Sequence, residues 1–243
     1  MNISVCLCTY NGARYLQGQL ASVLCQLGSE DEVILVDDVS TDDTVAVAES
    51  FADRRIKIFR NVERLGIVRN FERALMESRG ELLFLCDQDD LWLPKKVAIV
   101  RAALQECDLV ISDATLVDAT GEETAGSFFA LHNSGPGLLR NVVRNSYIGC
   151  CMAFRRKLLD VALPFPKGVP MHDVWLGCVA EMLGSTRFVG QALVHYRRHG
   201  QNASQTAQVS SHSWLRKLGF RVALVRALFV RCLFAIKASR LRR

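Results

Sequence analysis

The sequence predicts an α/β protein whose mainly parallel sheet is flanked by helices. Short apolar runs rich in valine, isoleucine and leucine alternate with longer segments whose apolar residues recur at helical spacing. Several of the strand-like runs end in polar or acidic residues. The chain has 243 residues, 50% of them apolar, which is enough for one α/β domain with a large core.

The predicted elements follow one another in βαβαβαβ order. The strands are residues 3–8, 32–36, 56–59, 82–86 and 108–114. The helices between them are residues 13–26, 40–52, 67–78 and 94–106, the second opened by a capping box of Ser40 and Asp43. Strands that alternate with helices are expected to pair in parallel, because each helix carries the chain back across the sheet.

Polar residues are predicted to gather at one edge of this sheet. Residues 9–12 follow the first strand, residues 37–40 follow the second, and residues 87–90 follow the fourth. Ligands of such sheets bind beyond the carboxyl ends of the strands. Any one of the three segments could be a turn, but their coincidence predicts a binding site.

The fourth strand leads into an acidic cluster in "ELLFLCDQDDLWLP". Asp87, Asp89 and Asp90 occupy three of four successive positions. Clustered carboxylates repel one another and are costly to desolvate without a compensating partner. A divalent cation such as Mg²⁺ or Mn²⁺ is one such partner, since it prefers oxygen ligands. The alternative is a solvated turn before a helix that Pro94 would begin.

Two common nucleotide-binding loops are missing from the sequence. No GxGxxG follows the first strand, and no GxxxxGK[ST] occurs anywhere. The sequence therefore favours neither a dinucleotide-binding protein nor a P-loop NTPase. Phosphate groups, if the ligand carries them, would have to be bound through a metal ion.

Charge and cysteine usage suggest where the protein works. The chain has a net charge of +5 and no Asp or Glu after Glu181, so its C-terminal part is strongly basic and favours an anionic partner. Its nine scattered cysteines form no CxxC pair and read as reduced thiols. No apolar stretch of about 18 residues and no secretory signal is evident. We expect a cytoplasmic protein, peripheral at the inner membrane.

Four motifs resemble family 2 glycosyltransferases, in the order of that family. They are "VCLCTYNGARYLQGQLASVLCQ", "ILVDDVSTDDT", "LGIVRNFERAL" and "CDQDDLWLPKK", and the resemblance covers roughly residues 3–200. The DQDD-L-W form is similar to bacterial rhamnosyltransferase-like members that build surface polysaccharides. The resemblance implies a Rossmann-like GT-A fold, a nucleotide-diphosphate sugar donor, a divalent metal (Mn²⁺ or Mg²⁺) and inversion at the anomeric carbon.

The resemblance also implies roles for individual residues. The donor-binding residues would be Thr9, Tyr10, Asn11, Asp38, Arg69 and Asp89. The metal ligands would be Asp89, Asp90 and His199. Val39 departs from the family, which usually has glycine there. Valine is costly at a positive φ, so we expect a small change in the loop.

Asp173 in "PMHDVWLGCVAEMLG" is predicted to be the catalytic base. Members of the family carry Glu-Asp or a variant such as His-Asp at this point, and the aspartate removes the proton of the acceptor hydroxyl. A single direct displacement needs one such base and no covalent intermediate. The alternative is that Asp173 only caps the helix that follows.

The C-terminal segment is predicted to form a basic amphipathic helix. We expect a catalytic domain at residues 1–205 and a helical segment at 206–243. The predicted apolar arc consists of Trp214, Leu215, Leu218, Val222, Val225, Phe229, Cys232, Leu233 and Ile236. Flanking arginines and the lack of acids favour an anionic membrane surface. The alternative is packing on the protein itself or on a second subunit as a homodimer.

Together these observations predict an inverting glycosyltransferase of cell-surface polysaccharide synthesis, for example of O-antigen. The donor would be dTDP-rhamnose or a UDP-sugar, and the acceptor a glycan or polyprenyl-linked glycan. One alternative is a metal-dependent nucleotidyltransferase, which would usually bring a glycine-rich loop with a lysine. Another is a non-catalytic nucleotide-sugar binding protein. We expect no nucleic acid partner.

Overall fold

The computed structural model describes residues 1–169, 171–199 and 214–241, with the side chains of the last helix described for residues 218–234. The strands are β1 (Ile3–Thr9), β2 (Glu32–Asp37), β3 (Ile56–Arg60), β4 (Leu82–Asp87), β5 (Leu91–Trp92), β6 (Leu109–Val117), β7 (Glu123–Ala125), β8 (Met152–Arg155) and β9 (Thr186–Arg197). The helices are α1 (Ala13–Leu24), α2 (Thr44–Ser50), α3 (Ile67–Glu77), α4 (Lys96–Ala103), α5 (Phe128–His132), α6 (Leu138–Val143), α7 (Leu159–Ala162), α8 (His172–Leu183) and α9 (Trp214–Leu241).

In the described part of the chain, the strands form one sheet in the order β3-β2-β1-β4-β8-β6-β9-β5, with β7 paired to β6. β3, β2, β1 and β4 are parallel neighbours, and β6 and β9 are parallel as well. β8 runs antiparallel between these two groups. The predicted class, an α/β protein with a mainly parallel sheet flanked by helices, is confirmed.

The core is built by strands that are buried over their whole length. All seven residues of β1 and all six of β2 are buried, which is typical of parallel strands covered on both faces. α1 contributes Leu16, Leu20 and Val23 to this core at spacings of three and four residues. The predicted strands and helices therefore lie where the hydrophobic periodicity placed them, within a few residues at each end.

The N-terminus of α2 differs from the prediction. The helix begins at Thr44, and Asp43 is its N-cap without a side-chain hydrogen bond to the helix. The Ser40 hydroxyl instead donates to Asp37 Oδ1 over 2.5 Å. The predicted capping box is therefore wrong, because Ser40 belongs to the turn that ends β2.

Val39 adopts the backbone conformation that the family usually assigns to glycine. Its φ is 63°, in the left-handed region that is unfavourable for a β-branched residue. The Asp37 carboxylate secures the turn by accepting from the backbone N–H of Ser40 over 2.9 Å. The expected change in the loop does not occur, and the valine takes the strained conformation instead.

The nine cysteines all lie in the described residues and are free thiols, as predicted. Cys25 is exposed, Cys232 is half-buried, and the others are buried. The buried thiols pack as small apolar side chains.

α9 packs on helices α6, α7 and α8 through a face different from the predicted apolar arc. Leu224 and Leu228 are buried where the helix contacts α6, α7 and α8. The side chains of six residues of the predicted arc are described. Cys232 is half-buried, and the other five are exposed: Leu218, Val222, Val225, Phe229 and Leu233. The arc's Trp214, Leu215 and Ile236 side chains lie outside the described residues, as does the predicted domain boundary at 205/206. Among the described residues, no helix is long and apolar enough to cross a membrane.

Candidate functional site

A cavity of about 250 Å³ opens at the carboxyl ends of β1, β2 and β4. Five of the residues singled out in the sequence line it: Thr9, Tyr10, Asp38, Asp89 and Asp173. Asp87 of the acidic cluster lines it too, and so do residues that were given no role, among them Arg64, Phe71, Gln88, Tyr147 and His172. The parallel strands therefore bring the polar segments together at one edge, as their positions after the strands predicted.

The loop after β1 is held to the loop after β4. The Tyr10 backbone N–H donates to the Gln88 amide oxygen over 2.8 Å, and the Gln88 amide nitrogen donates to the Tyr10 carbonyl over 3.0 Å. The Thr9 hydroxyl donates to Asp37 over 2.9 Å. The Arg64 guanidinium stacks on the Tyr10 ring, 3.5 Å from its centroid. This stack provides a flat cationic wall at the mouth of the cavity.

Asp38 organises the loop that carries Arg64. Its Oδ1 accepts from the Asn61 side chain over 2.8 Å and from the Leu65 backbone over 2.7 Å. Its Oδ2 accepts from the Gly66 backbone over 3.0 Å. A carboxylate has about four lone-pair sites, so Asp38 retains capacity for one further donor.

Asp89 and His199 come together from distant parts of the chain. The Nε2 of His199 lies 2.7 Å from Asp89 Oδ2, and both side chains are largely buried. The His199 ring also stacks on Tyr15, with ring centroids 5.0 Å apart. The predicted pairing of an acidic loop with a histidine about 110 residues later is thus spatially possible, because β9 returns beside the loop after β4.

Asp90 points away from that pair, into the protein. It is buried with Asp87 and Cys150, and ligand atoms of the three lie within 4.8 Å of one another. Its Oδ1 accepts from the Arg197 backbone over 2.9 Å, whereas its Oδ2 has no hydrogen-bond partner among the described residues. Burial and, as the second cause, the charge of Asp89 raise the pKa of Asp90 well above its usual value. The same two causes raise the pKa of Asp87 to about 7.

A buried lysine lies beneath the acidic cluster. Lys96 is fully buried, and its ammonium donates to the Cys150 carbonyl over 2.7 Å and lies 4.4 Å from the centroid of the Trp92 ring. Its charge opposes the rise in the pKa of Asp87. Part of the repulsion among the carboxylates is therefore offset by the protein itself.

The residues of this cluster fit a divalent metal ion. The Oδ2 of Asp90, which has no partner among the described residues, is a buried ligand atom that a cation would satisfy. Asp89 Oδ2 and His199 Nε2, which pair with each other over 2.7 Å, are ligand types that a cation could also bind. Carboxylate and imidazole groups suit Mn²⁺, while carboxylates alone suit Mg²⁺. The Cys150 thiol suits neither ion, and burial raises its pKa well above the usual value, so it stays protonated.

Asp173 lies in the first turn of α8 and is not its cap. The N-cap is Met171, and no side chain caps the helix. Asp173 Oδ1 accepts from the Val174 backbone over 2.7 Å, and the side chain is buried in the wall of the cavity. Burial raises the pKa of Asp173 to about 6. The alternative in which Asp173 serves only as the helix cap is therefore wrong.

Two of the predicted donor-binding residues lie outside the cavity lining. The Asn11 side chain accepts from the Thr41 backbone over 2.8 Å and ties two loops together. Arg69 pairs with Glu72 and donates to the Phe165 carbonyl over 3.0 Å. Both side chains are engaged in contacts within the protein, and a donor-binding role for either stays a prediction.

Sequence reasoning gave no role to Arg64 or His172 and placed Asp87 only in the acidic cluster, and all three line the cavity. Asp87 carried a usable signal, since it is the last residue of β4, at the strand end where ligands bind. Arg64 and His172 carried no comparable signal, because a loop arginine and a helix-start histidine are common at protein surfaces.

Comparison with known proteins identifies the family. The profile described as Glycosyl transferase family 2 matches residues 4–162. A glycosyltransferase of Nostoc sp. is 29% identical over 226 residues, which cover 85% of this chain and 68% of that protein. The Escherichia coli UDP-Glc:alpha-D-GlcNAc-diphosphoundecaprenol beta-1,3-glucosyltransferase WfgD is 23% identical over 164 residues, 68% of this chain and 64% of WfgD.

Solved structures share the fold. Staphylococcus aureus TarS in complex with UDP-GlcNAc superposes with a TM-score of 0.72 at 21% identity, covering 96% of this chain and 67% of TarS. Mycobacterium tuberculosis glucosyl-3-phosphoglycerate synthase, in complex with Mn²⁺, UDP and phosphoglyceric acid, superposes with a TM-score of 0.60 at 21% identity, covering 95% and 78% of the two chains. The family motifs, the cavity and the shared GT-A fold agree with the matched profile. The chain therefore belongs to glycosyltransferase family 2.

Proposed function

We propose that this glycosyltransferase transfers a sugar, with inversion, from a UDP-sugar to a hydroxyl of a lipid-linked glycan. The observation that carries the proposal is the convergence of Asp38, Asp89 and Asp173 on one cavity from three distant segments of a family 2 chain. A nucleotide site, a metal site and a base are the three parts that a single displacement by a hydroxyl requires.

The nucleotide is proposed to bind between β1 and the Asp38 loop. The Tyr10–Arg64 stack offers a face for the base, and the unused lone pair of Asp38 offers an acceptor for one of its N–H groups. UDP and UDP-GlcNAc are bound by TarS, and UDP is bound by the Mycobacterium synthase. These likenesses support UDP over the dTDP-rhamnose suggested by the DQDD motif.

Asp89 and His199, with Asp90 or Asp87 from below, are proposed to hold Mn²⁺ or Mg²⁺. When bound, such an ion neutralises the charge that develops on the departing diphosphate. Lys96 and Arg197 keep the loop in position: Lys96 lies beneath it, and the Arg197 side chain donates to the Asp89 carbonyl over 2.9 Å.

Asp173 is proposed to act as the general base. Its carboxylate is buried in the cavity wall, and it takes the proton of the acceptor hydroxyl as oxygen attacks the anomeric carbon. A pKa of about 6 leaves the group ionised at neutral pH while making it a stronger base than an ordinary aspartate. Attack opposite the departing diphosphate inverts the anomeric centre.

The acceptor is proposed to be presented at an anionic membrane surface. The exposed face of α9 combines Val222, Val225 and Phe229 with the neighbouring Arg221 and Arg226. Apolar residues flanked by arginines bind the interface of anionic lipid bilayers. WfgD, whose name describes a diphosphoundecaprenol acceptor, is a relative with this kind of substrate.

Donor binding is the first test of the proposal. Titration calorimetry with UDP-glucose, UDP-GlcNAc and dTDP-rhamnose, each with Mn²⁺ and with EDTA, should show one donor that binds only with the metal. Asp89→Asn should abolish that metal dependence. Turnover of the bound donor with a polyprenyl-diphosphate-linked sugar then separates a transferase from a binding protein. Equal binding of the donor in EDTA would exclude the metal site.

Vesicle binding tests the surface of α9. The double variant Val222→Ser/Phe229→Ser changes exposed residues and leaves the packed Leu224 and Leu228 intact. We expect it to lose co-sedimentation with phosphatidylglycerol vesicles. Met76→Ser is the matched control, since Met76 is an exposed apolar residue of α3. Unchanged vesicle binding would contradict the proposal, and a change from dimer to monomer in light scattering would favour the homodimer.

A further inference from the structure

His172 is a buried polar side chain without a hydrogen-bond partner. Only 2% of the residue is exposed, and within the described part of the chain neither Nδ1 nor Nε2 makes a hydrogen bond. Buried polar groups in native proteins are nearly always paired, so an unpaired one in a cavity wall calls for an explanation. The ring lines the cavity proposed for the donor and lies next to Asp173 in the chain.

The ring packs on one face and along one edge. It stacks on Phe71 of α3, with centroids 3.9 Å apart and planes inclined by 19°. Gly149 lies against its edge, where a Cβ would come within 2.9 Å of Nε2. These contacts fix the position of the imidazole in the wall of the cavity.

The ring is a neutral imidazole at physiological pH. Burial lowers the pKa of His172 to about 3. Neutral imidazole has one N–H donor and one acceptor nitrogen, and a hydroxyl group can pair with either. The hydroxyls of a bound sugar are the polar groups that a glycosyltransferase brings into this cavity.

Resting on the proposed function, we propose that the His172 imidazole hydrogen-bonds a hydroxyl of the transferred sugar and thereby contributes to selection of the donor. The sugar must lie between the diphosphate, held near Asp89, and the base Asp173. His172 lines that same space. Its unpaired nitrogens penalise a donor that lacks the matching hydroxyl, because they would then stay buried and unsatisfied.

The test compares UDP with the complete donor. His172→Phe keeps a ring against Phe71 and removes both nitrogens, and His172→Asn keeps a polar atom. With Mn²⁺ present, we expect His172→Phe to weaken UDP-glucose, or whichever UDP-sugar the wild type binds, by about tenfold. The affinity for UDP should not change. His172→Asn should recover part of the loss.

Deoxy analogues of the donor identify the hydroxyl. The analogue that lacks the contacted group should bind the wild type and His172→Phe equally well, whereas the other analogues should still distinguish them. The melting temperature of His172→Phe should be no lower than that of the wild type, because the substitution removes buried unpaired atoms. These results together would support a sugar contact and not a structural role.

Several outcomes would overturn this inference. An equal loss of UDP and UDP-sugar affinity would show that His172 only shapes the cavity. Unchanged donor affinity with a raised KM for the acceptor would assign the contact to the acceptor hydroxyl instead. His172→Leu, which also removes both nitrogens, replaces His172→Phe in each comparison if the phenylalanine variant fails to fold. If the wild type bound neither UDP nor any UDP-sugar, the proposed function itself would fail, a result distinct from the others.

Discussion

The two sides of the cavity differ in how far the protein satisfies its own polar groups. On the nucleotide side, Asp38 accepts three hydrogen bonds, and the Tyr10 backbone is paired with Gln88 in both directions. On the transfer side, neither nitrogen of the buried His172 has a hydrogen-bond partner among the described residues, and beneath the cavity Asp90 Oδ2 is likewise unpaired. The loops of the first side are already cross-linked by the protein, whereas the second side has buried polar atoms for which the described part of the chain offers no partner.

This difference corresponds to the two proposed tasks of the cavity, which are binding of the nucleotide and transfer of the sugar. A prebuilt nucleotide side costs little to order when UDP binds, since its loops are already cross-linked. Buried, unpaired groups on the transfer side destabilise the fold, but they provide acceptors and a base whose surroundings favour reaction over solvation. Each of the following changes tests one side against the other.

The largest effect is expected for Asp173→Asn. Loss of a general base typically lowers the rate by about 10² to 10⁴. The dissociation constant of UDP should stay unchanged, because the nucleotide side is built independently of α8. Asp160→Asn is the matched control, since Asp160 is also in the first turn of a helix but is exposed. Near-normal kcat in a folded Asp173→Asn enzyme would exclude Asp173 as the base.

Asp38→Ala should destabilise the protein. Three donors lose their acceptor, and an unsatisfied buried donor costs about 1 to 3 kcal/mol, so we expect a loss of about 2 to 4 kcal/mol after partial solvation. Asp43→Ala is the control, because Asp43 makes no side-chain hydrogen bond at the start of α2. Urea unfolding measures both variants, and equal stability of the two would show that the Asp38 loop is not prebuilt.

The pH dependence of kcat/KM should report the raised pKa of Asp173 in the free enzyme. The base acts when ionised, so kcat/KM should fall as pH drops below about 6, by about tenfold per unit. The stability of the fold depends on pH in the opposite direction. Because the pKa of Asp173 in the folded protein is raised above 3.8, this group stabilises the fold at low pH, and the contribution is lost as pH rises through about 6. Asp173→Asn should therefore gain stability relative to the wild type at pH 8 but not at pH 4. An unchanged difference between the two pH values would contradict the burial of an ionisable carboxyl.

Val39→Gly should give the smallest effect, a gain in stability on the nucleotide side. Left-handed backbone costs about 1 to 2 kcal/mol in a non-glycine residue, and the greater freedom of glycine in the unfolded chain offsets part of this. We expect a net gain of about 1 kcal/mol in urea unfolding. Val62→Gly, at a fully exposed loop position without positive φ, should lose stability instead. A loss in both variants would show that the turn does not strain Val39.

The fold and much of the site were predictable because they depend on local patterns. Continuous apolar runs marked the buried strands, and helical spacing marked the helices between them. Parallel pairing then brings the ends of β1, β2 and β4 to one edge, so Thr9, Asp38 and Asp89 were expected together. The capping box at Ser40 failed because its hydroxyl had a nearer acceptor in Asp37.

Side-chain direction was not predictable in the same way. Asn11 and Arg69 carry groups suited to a ligand, but the fold places acceptors and donors beside them that they use within the protein. Arg64 reaches the cavity because the Asp38 carboxylate shapes its loop. The partner that each of these side chains contacts is set by residues that are far apart in sequence and meet only after folding.

By itself, the sequence determined the α/β class, the edge of the sheet where the cavity opens, and the position of the acidic cluster, because hydrophobic periodicity and strand ends are local properties. The candidate base Asp173 was implied by the family resemblance. Tertiary structure alone decided that Asp89 faces His199 while Asp90 turns toward Cys150, and that α9 packs through Leu224 and Leu228. It also decided that His172 is enclosed without a partner. Burial and pairing arise from contacts between distant segments, and no short stretch of sequence contains both members of such a contact.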